Sequence, residues 1–335
     1  MREMKRPREP AEPPDAAPGP TAGRAASRVM TTAAGTHQQA FGPTEWALLA
    51  VPALVWGLSF FFIAVAVDDV SPGIVAFGRI LFGALALAAF PAARRPMPRE
   101  EWRRLAFLAV TWMAVPFTCF SIAEQWIDSS LAGMLNGAVP LSTAAMAAVV
   151  FRRPPTGRQL GGLLLGFAGV VLVLAPALDA DAAGNALGVG LVLLAVACYG
   201  MATNVSVPVQ QTYGPLAVTF RSQLVALALT APYALAGVPS SHFTPEAVGS
   251  LVVLGALGTG VAFVALGLLL ARVGATRGTV GVYFTPLVAV AAGVIFLDEQ
   301  VAVLSLAGVV LVLAGAWLVS RAERAPAVHL TARDG

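Results

Sequence analysis

The chain has 335 residues, of which 57% are hydrophobic and 12% charged, with a formal net charge of +3 and a mean hydropathy of +0.77. Ordinary soluble domains carry about 25% charged residues. The composition therefore excludes a soluble enzyme and indicates a polytopic membrane protein. A single lysine, Lys5, stands against twenty arginines, a GC-rich bacterial coding style.

Residues Met1 to Gln39 show no hydrophobic periodicity and no apolar h-region, so they are not a secretory signal peptide. The stretch 1–43 reads as a disordered basic tail on the cytoplasmic side, and Met30 serves as a start as well as Met1 does. Ten apolar runs follow, each near the about 20 residues that a membrane helix needs. They are Trp46–Val67, Pro72–Pro91, Leu105–Ala123, Ser129–Phe151, Leu160–Leu178, Ala186–Val207, Gly214–Gly237, Ala247–Ala271, Thr279–Leu297 and Val301–Val319. Charges and turn residues separate them, and Pro208 to Tyr213 is the least distinct break. A short tail, 321–335, closes the chain.

Basic residues are retained on the cytoplasmic side of a membrane. With the N-terminus inside, 19 of the 21 basic residues fall in cytoplasmic segments, while Asp68, Asp69, Glu124, Asp128, Asp179, Asp181, Glu246, Asp298 and Glu299 fall on the opposite side. Both termini are thus expected in the cytoplasm. The two remaining basic residues, Arg79 and Arg221, lie within spans.

The two halves of the chain align. Trp56-Gly57 and Tyr199-Gly200 are 143 residues apart, as are Pro72 and Pro215; Arg79 and Arg221 are 142 apart. Pro140 and Pro286, Gly162 and Gly308, and Gly169 and Gly315 are each 146 apart. Each half holds five spans, an odd number, so the second copy enters the membrane from the other side. The expected fold is an all-α integral membrane protein of ten transmembrane helices in two inverted five-helix repeats, 44–180 and 184–320. Such a bundle packs in two nearly equivalent ways, one open to each side, as alternating access requires.

Trp56-Gly57-Leu58-Ser59-Phe60, Arg79, the stretch Ala123, Trp126, Ser129, Ser130, Ala132 leading to Pro140, and Pro286 followed by Leu297-Asp298-Glu299, Leu306-Ala307-Gly308 and Ala314-Gly315 carry a resemblance. Taken together over residues 45–320, they resemble the EamA-type family of the drug/metabolite transporter superfamily. The resemblance implies transport of small metabolites, often amino acids or drug-like molecules, with export the expected direction. It also implies a central cavity lined by the first four spans of each half, with the fifth and tenth peripheral. The family pattern puts a glutamate after the fourth span. Here that position is Arg153, opposite Glu299 in the second half.

Arg79 lies seven residues past Pro72, about 10 Å into the bilayer by helical rise, and Arg221 lies at a similar depth from the inner face. Either faces a wet cavity and attracts an anionic group, or it braces a helix end by bonding carbonyls. Trp56, Asn136, Tyr199, Asn204 and Tyr283 are further candidates for solute contact; interhelical bonding and packing are their alternatives. No acidic residue sits mid-span and His37, His242 and His329 lie outside the spans, so coupling to protons falls to a boundary carboxylate, Glu124.

The competing class is an integral membrane enzyme or a lipid-handling protein acting at the bilayer face. Neither a nucleophile motif nor a His in a span supports it. No metal cluster, disulfide or cofactor motif is expected, and Cys119 and Cys198 read as core residues. The expected partners are a small-molecule metabolite and membrane lipid, with no nucleic acid. Small residues at Gly162-x-x-x-Gly166, Gly255-x-x-Gly258 and Gly274-x-x-x-Gly278 read as helix packing marks, with a homodimer through the fifth or tenth span as the other use.

Overall fold

A computed structural model describes residues 30–36, 41–152, 156–179 and 182–320. Arg153, His37, His329 and the first 29 residues lie outside that set.

The described residues form an all-helical bundle of ten segments, in chain order α1 (Pro43–Val67), α2 (Pro72–Ala88), α3 (Trp102–Ala123), α4 (Ser129–Val149), α5 (Gly157–Asp179), α6 (Ala182–Tyr213), α7 (Pro215–Gly237), α8 (Pro245–Val273), α9 (Ala275–Phe296) and α10 (Val303–Ser320). Eight helices are long and apolar enough to cross a membrane; the other two apolar helices are the shorter stretches Pro72–Ala88 and Val303–Gly315. Proline opens α1, α2, α7 and α8, where its missing N–H has no intrahelical partner to lose.

The break expected at Pro208 to Tyr213 is absent. The helix runs through Pro208 to Tyr213, and the chain turns at Gly214 alone, whose φ of 81° suits glycine. Two helices depart from regular α geometry at matching places. In α3 the stretch Ala109–Ala114 is π-helical, as is Leu254–Val261 in α8. Likewise α4 is interrupted between Asn136 and Val139, and α9 carries a 3-10 stretch, Thr279–Phe284. Each interruption precedes one of the equivalent prolines, Pro140 and Pro286, which cannot donate to the preceding turn.

Helices pack mainly across the halves. α2 lies on α8, while α7 lies on the π stretch of α3; α6 lies on α3 and α4, while α1 lies on α8 and α9. α5 and α10 pair with each other, antiparallel, through glycines. A Cβ on Gly169 would stand 2.7 Å from Gly308 O and 2.6 Å from Val312 N; a Cβ on Gly315 would stand 2.5 Å from both Gly162 O and Gly166 N. The small-residue faces of these two helices are thus used within one chain.

The segment Met30–Thr36, part of the stretch read as a disordered tail, lies against one end of the bundle. Arg104 Nη2 donates to Thr31 Oγ1 at 3.1 Å and Gln211 Nε2 to Ala34 O at 2.8 Å. At the same end Arg272 pairs with Glu45 at 2.8 Å. At the other end, the α1–α2 turn meets the α7–α8 turn: Thr244 Oγ1 donates to Asp69 Oδ2 at 2.6 Å and His242 N to Asp69 O at 2.7 Å.

Candidate functional site

A cavity with about 550 Å³ of non-atom space, open solvent included, lies in the middle of the bundle, walled by α1–α4 of the first half and α6, α8 and α9 of the second. α5, α7 and α10 do not reach its wall.

The π stretch of α8 organises the charged side of the wall. A π turn displaces the usual backbone bonding pattern by one residue, and here neighbouring helices use the freed groups. Trp56 Nε1 donates to Gly258 O at 2.8 Å. The Thr259 hydroxyl donates to Leu254 O at 3.0 Å and accepts from Arg79 Nε at 3.3 Å. Gln223 Nε2 of α7 donates to Thr259 O at 2.8 Å, holding the stretch from behind. Glycine permits the approach: a Cβ on Gly255 would stand 2.8 Å from Arg79 O.

Arg79 is 3% exposed, and its guanidinium lies 3.8 Å from the centroid of the Phe117 ring. That contact is a cation–π interaction in a desolvated place. Nε is the one guanidinium nitrogen with a hydrogen-bond partner among the described residues. Much of the remaining wall is aromatic, with Ile63, Val139, Leu266 and Val282 between the rings. Phe263 meets Trp56 at 5.3 Å, Trp112 at 5.2 Å and Phe117 at 5.8 Å, the last nearly perpendicular at 85°. Phe120 stacks on Tyr199 at 6.1 Å and meets Phe60 edge-on at 5.3 Å.

Four of the seven residues singled out for solute contact, Trp56, Arg79, Asn136 and Tyr199, line this cavity. Asn136 sits where α4 is interrupted, and its buried Oδ1 has no hydrogen-bond partner. The other three stand elsewhere. Asn204 Nδ2 donates to Thr143 O and Gly200 O, both at 2.9 Å, binding α6 to α4. Arg221 Nη2 donates to Arg95 O at 3.0 Å and Arg94 O at 3.3 Å, at the loop after α2. Tyr283 is buried in the core beside the wall without being part of it.

Glu124 lies just past the end of its span, which closes at Ala123. Neither of its buried carboxylate oxygens has a hydrogen-bond partner of good geometry among the described residues. Burial holds its carboxyl well above the usual carboxylate range, with Glu299 adding to the shift and Arg79 opposing it. Glu124 is not part of the cavity wall. Glu299 serves the scaffold. Its Oε1 accepts from Ser129 N at 2.9 Å and Ser129 Oγ at 2.7 Å, and its Oε2 from Ser130 N at 2.9 Å. It thereby caps α4 from across the bundle, an anion on free N–H groups at a helix start. Gly293 leaves the room, since a Cβ there would collide with the Glu299 carboxylate and Ser130 Oγ. No cluster of three or more His, Cys, Asp or Glu side chains that could hold a metal occurs among the described residues.

The EamA-like transporter family model matches the chain twice, over residues 45–175 and 186–321. The chain belongs to this family. A protein of Archaeoglobus fulgidus, named an uncharacterized transporter, is 24% identical over 277 residues, covering 83% of this chain and 99% of its own. A Streptantibioticus cattleyicolor protein named "Probable terminal-alkyne amino-acid exporter" is 26% identical over 221 residues, covering 65% of this chain and 72% of its own. A solved crystal structure superposes with a TM-score of 0.62 at 16% identity, over 82% of this chain and 97% of that one, a likeness of fold. Family and relatives thus identify a multi-pass membrane transporter, as the resemblance implied, and point away from an enzyme.

Sequence reasoning passed over Thr259, Gln223 and Phe117. Thr259 and Gln223 were visible as polar residues inside apolar runs. Phe117 carried a subtler mark, lying 146 residues before Phe263, the same spacing as the other repeat pairs.

Proposed function

We propose that this EamA-like protein is a secondary transporter of a small organic metabolite, such as an amino acid or related compound. It exports that solute across the cytoplasmic membrane by alternating access. Two inverted five-helix repeats, 44–180 and 184–320, rock about the cavity, with both termini in the cytoplasm. The observation that carries this reading is the position of the cavity on the seam between the halves, where Phe117 and Phe263 meet edge to face. A twofold relation between the repeats accounts for the exchanged packing of α1, α2, α6 and α7 and for the matched glycine contacts of α5 and α10. An exporter among the relatives supports the direction.

In this reading Trp56, Arg79, Asn136 and Tyr199 touch the solute, Asn204, Arg221 and Tyr283 hold the scaffold, and Glu124 is the coupling carboxylate. Counterflow of labelled solutes in proteoliposomes tests transport. Single cysteines at the wall, in a background without Cys119 and Cys198, should be labelled from each side in turn as solute is added. Cysteines at positions 153 and 298 should react from opposite sides of the bilayer; reaction from one common side would end the inverted-repeat reading.

A further inference from the structure

The chemistry of the cavity wall narrows the solute further, on the reading that this cavity is the transport site. Arg79 is the one wall residue with a full charge, and no carboxylate, histidine or lysine lines the cavity. Its Nε is engaged by Thr259, while its Nη groups have no hydrogen-bond partner among the described residues. The aliphatic wall hydroxyls are committed as donors to their own helices: Ser59 to Val55 O at 2.8 Å, Thr203 to Tyr199 O at 2.7 Å and Thr279 to Thr276 O at 3.2 Å; the Tyr199 hydroxyl is left as a further polar group of the wall. The Trp56 indole N–H is likewise committed, to Gly258 O.

A buried guanidinium with spare donors favours a carboxylate, which it can grip with two parallel bonds. A free ammonium in the same space would meet only neutral acceptors and ring faces, beside a fixed positive charge of its own sign. Burying it there carries an uncompensated desolvation cost. The aromatic faces of Phe60, Phe120, Trp112 and Phe263 suit a flat apolar body. The Asn136 amide, its Oδ1 unpaired, suits a neutral polar substituent such as a hydroxyl or an acylated nitrogen.

We propose that the solute is a monoanionic carboxylate with an aromatic or similarly flat apolar body and no free ammonium group. Among amino-acid-related compounds this selects deaminated or N-acylated acids over the parent zwitterions.

The test uses the full-length protein in proteoliposomes and three probes that share one ring: phenylacetate, phenylalanine and phenethylamine. Binding is read as the shift in thermal midpoint, and transport as competition in counterflow. Phenylacetate should act at a concentration at least about 10-fold below phenylalanine, the factor that a cost of about 1.4 kcal/mol for burying the ammonium supplies, and phenethylamine should have no effect. N-acetylphenylalanine should follow phenylacetate. Arg79→Gln should abolish the phenylacetate response. Should that variant fail to fold, Thr259→Val keeps the charge, releases Nε, and should weaken phenylacetate and N-acetylphenylalanine several-fold; an unchanged response in the folded variant overturns the proposal. Equal or stronger action of phenylalanine, any action of phenethylamine, or no action of phenylacetate overturns the proposal. The carrier reading is judged separately, by the two-sided cysteine labelling: alternating access to the wall with no preference for phenylacetate would keep the carrier and discard the monoanion.

Discussion

Arg152 and Asp298, 146 residues apart, are the two residues other than glycine with positive φ among the described residues, at 53° and 54°. Each follows the fourth helix of its half. The left-handed turn is unfavourable for a side-chain-bearing residue, yet it recurs at both repeat positions. In the second half it delivers Glu299 to the start of α4. The first half keeps the turn at Arg152; the residue that follows in sequence, Arg153, corresponds in register to Glu299 and lies outside the described residues.

Glu299→Ala should leave Ser129 N and Ser130 N without their anionic acceptor. A charge-assisted cap of this kind contributes about 1–3 kcal/mol, so the thermal midpoint in detergent should fall by several degrees. Glu299→Gln should lose part of that, since one amide oxygen replaces two carboxylate oxygens. Gly293→Ala should act in the same direction by pushing the carboxylate away. Differential scanning fluorimetry of the purified protein measures all three; an unshifted midpoint in Glu299→Ala would show that the cap contributes nothing.

Asn136→Leu and Asn204→Leu should separate recognition from stability. Asn204 satisfies two carbonyls with its Nδ2, so its loss should destabilise by about 1–3 kcal/mol. Asn136 Oδ1 pairs with nothing, so its replacement should leave the midpoint within a degree or two and change the apparent affinity in counterflow. The opposite assignment of effects would mean that Asn136 is part of the scaffold.

Gly308→Leu should disrupt the α5–α10 pair. A Cβ there would stand 2.6 Å from Val173 N and 2.7 Å from Gly169 O, both backbone atoms that cannot rotate away. Overpacking usually costs about 1–3 kcal/mol, and here two helices would have to separate. Cross-linking between cysteines at Gly162 and Gly315 should drop in that variant, while the cavity wall, which neither helix reaches, keeps its solute response.

Glu124→Gln tests coupling and has a defined sign. The folded protein holds this carboxyl above the usual range by burial, so the fold loses stability as rising pH ionises it. The glutamine variant should therefore be at least as stable as the parent at pH 8. It should also lose pH-driven accumulation while keeping solute counterflow. Accumulation that still follows an imposed pH gradient in Glu124→Gln would assign coupling elsewhere.

Arg79 and Arg221 show what the sequence could not decide. Both lie at similar depth by helical rise, and both were candidates for the wet face. Pro72 and Pro215 are 143 residues apart, so the position equivalent to Arg79 is Ser222, and Arg221 is offset by one residue. One residue turns a helix by about 100°. That rotation turns Arg221 off the position equivalent to Arg79 and toward the carbonyls of Arg94 and Arg95, and α7, unlike α2, does not reach the cavity wall.

Composition and the order of apolar runs, arginines, prolines and glycines were enough to establish a helical membrane protein with two related halves. Those features depend on transfer energy and chain length, which act along the chain. The π stretch at Leu254–Val261 that seats Trp56, Thr259 and Arg79 came only with the tertiary structure. Its one-residue shift of backbone bonding is stabilised by α1, α2 and α7, from distant parts of the chain. Which polar groups face solute and which hold helices together is a matter of rotation about each helix axis. Packing between the halves sets that rotation, and no local sequence pattern records it.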